Sequence, residues 1–201
     1  MSKASNFRPR GVQPKEREKR PMASSRTDPN TIRAASIQQL AHCAERAAVI
    51  LRGWNTLADR FVRNWAGFNA IYNAFSGTER ERLMAAIASG LTEEQAEGIL
   101  SYAADDIDYF AHLPPGNVQR ARTDPHFRKK TLADMRRVKD ISLSATTRLS
   151  HLLSVVYQVR CNLLHGGKNA GDERGARLIG GGDHIVSLVL DKLMTNAGAR
   201  S

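Results

Sequence analysis

The chain is short of cysteine, of aromatic residues and of unbroken apolar runs, and each shortage removes a class of protein. Only Cys43 and Cys161 are cysteines among 201 residues, with neither a Cys-x-x-Cys pair nor zinc-like Cys/His spacing, so a disulfide framework and a zinc cluster are both excluded. The two are expected as reduced thiols on apolar helices of a cytoplasmic protein. No apolar run approaches the roughly 20 residues needed to cross a bilayer, and the N-terminus lacks the apolar centre of a signal peptide. No membrane partner is therefore expected. Strand-like alternation and internal repeats are also missing, which leaves an all-α fold, an up-and-down bundle of five to seven helices.

What is abundant is positive charge, and it is unevenly spread. Residues 1–33 hold nine Lys or Arg against three acids, a net +6 out of the chain's +10. Such a balance favours polyanions, with RNA or DNA preferred over a membrane surface because no basic amphipathic helix stands out. Residues 1–27 are polar and broken by Pro9, Pro14 and Pro21, a composition that cannot bury enough apolar surface to offset ordering. They are expected to form a disordered basic tail before a helical domain spanning 28–195. The tail reads equally well as an electrostatic arm for nucleic acid and as a leader before Met22.

From Asp28-Pro29 onward the pattern is helical. A first helix carries Ile32, Leu40, Ala44, Ala47 and Leu51 and stops at Gly53. Thr56 with Asp59 opens a second, on which Phe61, Trp65, Phe68, Tyr72 and Phe75 recur at intervals of four and three, the spacing of a core stripe. Asn69 and Asn73 flank it and need partners if buried. Thr78 with Glu81, and Thr92 with Gln95, start two more helices, the later one stopped by Pro114-Pro115. That helix carries Asp105, Asp106 and Asp108, which diverge in direction and cannot all hold one ion. They are expected in solvent, with one available to pair with Arg160. No metal and no cofactor is expected.

Residues 117–130 form a polar connection whose Arg120, Arg122, Arg128, Lys129 and Lys130 are candidates to flank a phosphate-binding cleft, or simply to face solvent. Helical pattern resumes near Thr131 and breaks around Asp140 to Ser144. The glycine-rich segment 166–182 is expected as a flexible loop, with Lys168 as a further RNA-binding candidate; the glycine spacing is not that of a Walker loop. Asp183 is expected to cap a last helix through Ile185, Leu188, Val189, Leu193 and Met194.

The most informative stretch is LSHLLSVVYQVRCNLLHGGK, residues 149–168. Leu149, Leu152, Leu153, Val156, Val159 and Leu163 gather on one helical stripe, and Arg160 falls inside it. A guanidinium there must find a carboxylate, a phosphate or water. Asn162 and His165 share another face, where Gly166 and Gly167 end the helix. The carbonyl end of a helix favours imidazolium, which equips His165 to donate a proton near neutral pH. The competing structural reading is that His165 caps the helix and Arg160 pairs with a core acid.

The run Arg160-Cys-Asn-Leu-Leu-His165-Gly-Gly resembles the signature of the HEPN family of helical RNA-cleaving and nucleotide-binding domains, an arginine with four to six residues between it and a histidine at a helix end. Arg120 with His126 and Arg177 with His184 also fit that spacing, but the pattern places neither pair on an apolar helix. The stretch FVRNWAGFNAIYNAF, residues 61–75, is similar to the aromatic, asparagine-bearing helix upstream in many HEPN domains. Cys161 departs from the family, which often has a polar residue directly after the arginine. The resemblance implies a metal-independent endoribonuclease in which the RNA 2′-hydroxyl attacks the adjacent phosphate. His165 would move the proton, Arg160 would stabilise phosphate charge and Asn162 would orient. It further implies a homodimer, an antitoxin or defence partner, and a toxin or antiviral role. A non-catalytic module binding nucleotide, RNA or a protein is the alternative.

Overall fold

The computed structural model of the protein describes residues 56–118, 121, 124–164 and 173–198. The described residues form seven helices and no strand: α1 (Leu57–Tyr72), α2 (Glu79–Gly90), α3 (Glu93–Tyr102), α4 (Ala104–His112), α5 (Lys129–Val138), α6 (Ala145–Leu164) and α7 (Glu173–Asn196). The all-α expectation holds. The expected tail, the expected helix over 28–53 and Cys43 lie outside the described residues.

The helix starts follow from short side chains that satisfy orphan amide groups. Thr56 accepts from the Asp59 N–H at 3.3 Å. Thr78 and Glu81 form a reciprocal box, the Thr78 N–H donating to Glu81 Oε2 at 2.8 Å and the Glu81 N–H to Thr78 Oγ1 at 3.4 Å. Thr92 and Gln95 repeat it at 3.0 and 3.2 Å. The segment after Thr92 is not a single helix, however. It breaks at the buried Ala103, between α3 and α4, where neither glycine nor proline signals a stop. In addition, α5 opens at Lys129, two residues before the expected Thr131.

Packing is organised around α6, which contacts α2, α3, α5 and α7 and, more lightly, α1. Leu149, Leu152, Leu153, Val155, Val156 and Val159 are all buried on it. Each such side chain contributes about 1.5–3 kcal/mol on leaving water. The aromatic stripe of α1 is core, as its spacing predicts: Phe61, Trp65, Phe68 and Tyr72 are buried and meet edge to face at 5.1–6.3 Å between centroids. Phe75 is half-buried at its end. Of the asparagines near it, the fully enclosed one is Asn64, while Asn73 is exposed and accepts from Arg82 at 2.7 Å.

The last helix differs most from expectation. Asp183 does not cap it; α7 starts at Glu173, and Asp183 is buried in its middle. Its Oδ2 accepts from Arg60 Nε at 2.5 Å and its Oδ1 from Asn64 Nδ2 at 2.6 Å. Asn64 also donates to Ser187 at 2.8 Å, so 60 meets 183 and 64 meets 187, and α1 and α7 run side by side in one direction. Nor are residues 173–182 a loop. Gly181 and Gly182 occupy positions on the inner face of α7 where a side chain would crowd its neighbours: a Cβ on Gly181 would lie 2.9 Å from Asp106 Oδ1 and one on Gly182 3.1 Å from the Phe61 ring. Glycine lowers helix propensity by up to about 1 kcal/mol, and close packing of α7 on α1 and α4 compensates.

Two more buried aspartates tie helices together. Asp134 on α5 accepts from Arg80 of α2 at 2.6 Å and meets His151 Nδ1 of α6 at 2.8 Å. Asp106 on α4 accepts from Arg177 Nη1 at 2.6 Å and pairs with His184 Nδ1 at 2.7 Å, both from α7. Asp106 is therefore neither solvated nor the partner of Arg160. Asp105 and Asp108 are exposed, and Asp108 pairs at the surface with Lys139 at 3.0 Å.

Candidate functional site

The C-terminal half of α6 supplies the described part of the site. Arg160 is half-buried, not enclosed, with its guanidinium carbon 5.9 Å from the centroid of the Tyr157 ring one turn earlier. Stacking of a cation on an aromatic face holds it without removing its charge. No carboxylate pairs with Arg160 among the described residues, so none of them is the core acid of the competing reading.

The platform under Arg160 is itself fixed from two sides. Tyr157 packs on Trp65 at 5.9 Å between centroids. Burial, followed by hydrogen bonding to Cys161 and Glu79, pushes its pKa above the ordinary tyrosine range. Tyr72 donates to Glu79 Oε1 at 2.6 Å, and burial with that bond raises its pKa as well, although the nearby Arg160 charge pulls the other way. Both hydroxyls thus stay protonated, and Glu79 Oε1 accepts from Tyr72. Cys161, on the same turn, is a half-buried free thiol.

Asn162, to which the resemblance gives an orienting role, has structural partners in the fold. It is buried, and its Nδ2 donates to the Gly116 carbonyl at 2.8 Å. Its Oδ1 accepts from Gln158 Nε2 at 2.9 Å and from the Val118 N–H at 3.4 Å. Asn162 therefore anchors the turn after Pro114-Pro115 to α6. His165 directly follows the last residue of α6 and lies outside the described residues.

Beside this stretch opens a cleft of about 680 Å³, within the range of small-molecule sites. Tyr157, Gln158, Cys161 and Asn162 form its α6 wall, and Lys129 and Lys130 at the start of α5 face them. Lys129 and Lys130 thus border a cleft and are also exposed to solvent. Arg128 does not line it; its guanidinium stacks on Phe127 at 5.1 Å. Arg120, Arg122 and Lys168 lie outside the described residues. His126 and Phe127, which the sequence reading did not select, border the same cleft. A histidine and an aromatic next to a basic cluster were the available signal.

Neither Arg177 nor His184 belongs to this cleft, and both are on an apolar helix after all, meeting at Asp106. No metal-binding group of three or more His, Cys, Asp or Glu residues occurs among the described residues. No helix among them is long and apolar enough to cross a membrane. No protein-family model, curated protein or solved structure matches the chain.

Proposed function

We propose that the protein is a HEPN-like, metal-independent endoribonuclease whose reaction centre lies at the C-terminal end of α6. The observation that carries the reading is the state of Arg160: a half-buried guanidinium stacked on Tyr157, with no carboxylate partner among the described residues. A positive charge so held is available to a phosphate, and it stands five residues before His165. The cleft with Lys129 and Lys130 supplies a neighbouring path for the RNA backbone. In this mechanism the 2′-hydroxyl oxygen attacks its own phosphorus and expels the 5′-oxygen of the next nucleotide. His165 transfers the proton, and Arg160 stabilises the added charge. A two-fold dimer bringing two α6 ends together, and a toxin or defence role in the cytoplasm, belong to the same proposal.

Incubation of the protein with RNA and excess EDTA tests it. Cleavage should persist, leave 2′,3′-cyclic phosphate ends and spare DNA. His165→Ala should slow it by about 10² to 10⁴. Absence of cleavage by the wild-type protein, or an unchanged rate in folded His165→Ala, would remove the mechanism. The second reading, a non-catalytic RNA-binding module, is favoured by one observation: Asn162 donates from Nδ2 to Gly116 and accepts at Oδ1 from Gln158 and the Val118 N–H, which gives it a structural duty. Under that reading the same RNA binds without being cut.

A further inference from the structure

Three buried aspartates join helices in this fold, each between an arginine and a second polar side chain, but their second partners differ. Asp183 has Asn64, and Asp134 has His151, whose side chain is only 6% exposed. In those two groups the second partner is enclosed, although Arg60 and Arg80 are themselves 52% and 33% exposed. Asp106, with its side chain 6% exposed, instead holds His184 and Arg177, which are 49% and 44% exposed. A buried carboxylate is thus used to hold two half-exposed donors in fixed orientation on the surface of α7.

The local sequence builds this arrangement. Arg177, Gly181 and His184 are spaced four and three along α7 and so share one face. The carboxylate lies across the glycine between them: a Cβ on Gly181 would sit 2.9 Å from Asp106 Oδ1. Each carboxylate oxygen takes one partner, Oδ1 the arginine and Oδ2 the imidazole. Because the carboxylate accepts, the proton on the ring is at Nδ1 and Nε2 is the atom left for another partner. Nε2 makes no hydrogen bond among the described residues. Arg177 commits Nη1 to Asp106 and stacks on Tyr109 at 5.2 Å, which leaves its other N–H groups at the surface. Asp183, next to His184 in sequence, is turned inward to Arg60 and does not compete.

We propose that Arg177 and His184, positioned by Asp106, form a binding site for a phosphomonoester group on the α4–α7 surface. The chemistry selects this class. Arg177 offers a permanent charge and N–H donors matched to phosphate oxygens. Imidazole Nε2 accepts a hydrogen bond when neutral and donates one when charged. A phosphomonoester monoanion carries a proton to donate to neutral Nε2, and its dianion accepts one from the charged ring, so one proton is shared between ring and ligand in either state. A phosphodiester has no such proton and lacks that match. The site shares no residue with the α6 cleft and does not depend on RNA cleavage.

The test uses the full chain carrying ¹³C-labelled histidine, with the His184 ring signal assigned by its loss in His184→Gln. Inorganic phosphate and AMP should shift that signal saturably, and 3′,5′-cyclic AMP should bind at least about tenfold more weakly, as expected for a missing charge-assisted hydrogen bond. Arg177→Gln should weaken AMP binding by at least about tenfold with an unchanged circular dichroism spectrum, and Arg160→Ala should leave it unaltered. A short RNA bearing a 5′-phosphate that outcompetes its 5′-hydroxyl twin marks an RNA end as the source; equal competition alongside AMP binding marks a free nucleotide. No saturable shift at His184, equal affinity for AMP and cyclic AMP, or unimpaired binding in Arg177→Gln would overturn the proposal. Loss of AMP binding in folded Arg160→Ala would place it at the other site and overturn it too.

Discussion

Asn162 on α6 donates its side-chain amide to the carbonyl of Gly116 at 2.8 Å, and this bond joins the central helix to the turn that precedes α5. Asn162→Ala removes it and leaves a buried carbonyl without that donor. A buried group so orphaned costs about 1–3 kcal/mol. Urea denaturation should show a loss of that size, and Asn162→Asp, which cannot donate when ionised, should be no milder. A variant as stable as wild type would free Asn162 for a role in the reaction centre.

Two helical glycines should respond to alanine in opposite directions. Gly98 on α3 has no heavy atom within 4 Å of the site of a Cβ, so Gly98→Ala should gain about 0.5–1 kcal/mol of helix propensity. Gly181 would bring its Cβ to 2.9 Å from Asp106 Oδ1 and 3.2 Å from the Phe110 ring, and overpacking of this kind costs about 1–3 kcal/mol. Thermal unfolding of the pair checks the prediction; a rise in melting temperature for Gly181→Ala would contradict the α4–α7 contact.

Two aspartates that look alike in sequence should also separate. Asp183→Ala strips Arg60 and Asn64 of a buried acceptor and should cost about 1–3 kcal/mol or more. Asp108→Ala breaks only an exposed pair with Lys139 and should fall within about 0.5 kcal/mol of wild type. Equal losses in the two variants would mean that burial does not decide their contributions.

Alkaline titration should single out the tyrosines behind Arg160. Burial, with the Glu79 bonds, raises the folded pKa of Tyr72 and Tyr157 above the ordinary value of about 10. The folded state thus keeps protons that the unfolded state loses. Their stabilisation is complete below pH of about 10 and declines as pH rises through the folded values. Absorbance near the tyrosinate band should show two of the four tyrosines ionising late, together with unfolding. Glu79→Gln should alter that late phase; ionisation of all four in the ordinary range would refute the buried hydroxyl pair.

Periodicity and caps were sufficient for the helical architecture because both are local. The aromatic stripe of α1, the threonine caps of α1, α2 and α3 and the apolar face of α6 are set by neighbours three or four residues away, and side chains at that spacing meet wherever the helix lies. The cleft walls contributed by Lys129 and Lys130 were legible for a similar reason, as a charge cluster close to an apolar helix.

What lay beyond the sequence involved partners far apart along the chain. Glycine ordinarily weakens a helix, so the run Gly180-Gly181-Gly182 read as loop; only the approach of Phe61 and Asp106, from α1 and α4, makes a smooth helical face the stable choice. Asp183 read as a cap because aspartate favours helix starts, and Arg60 and Asn64, more than a hundred residues away, turned it into a buried tie. Likewise Asp106 took Arg177 and His184, and Arg160 stacks on Tyr157 with no acid partner among the described residues. A carboxylate in water pairs with whichever cation the packed helices bring to it, and that selection belongs to the tertiary structure.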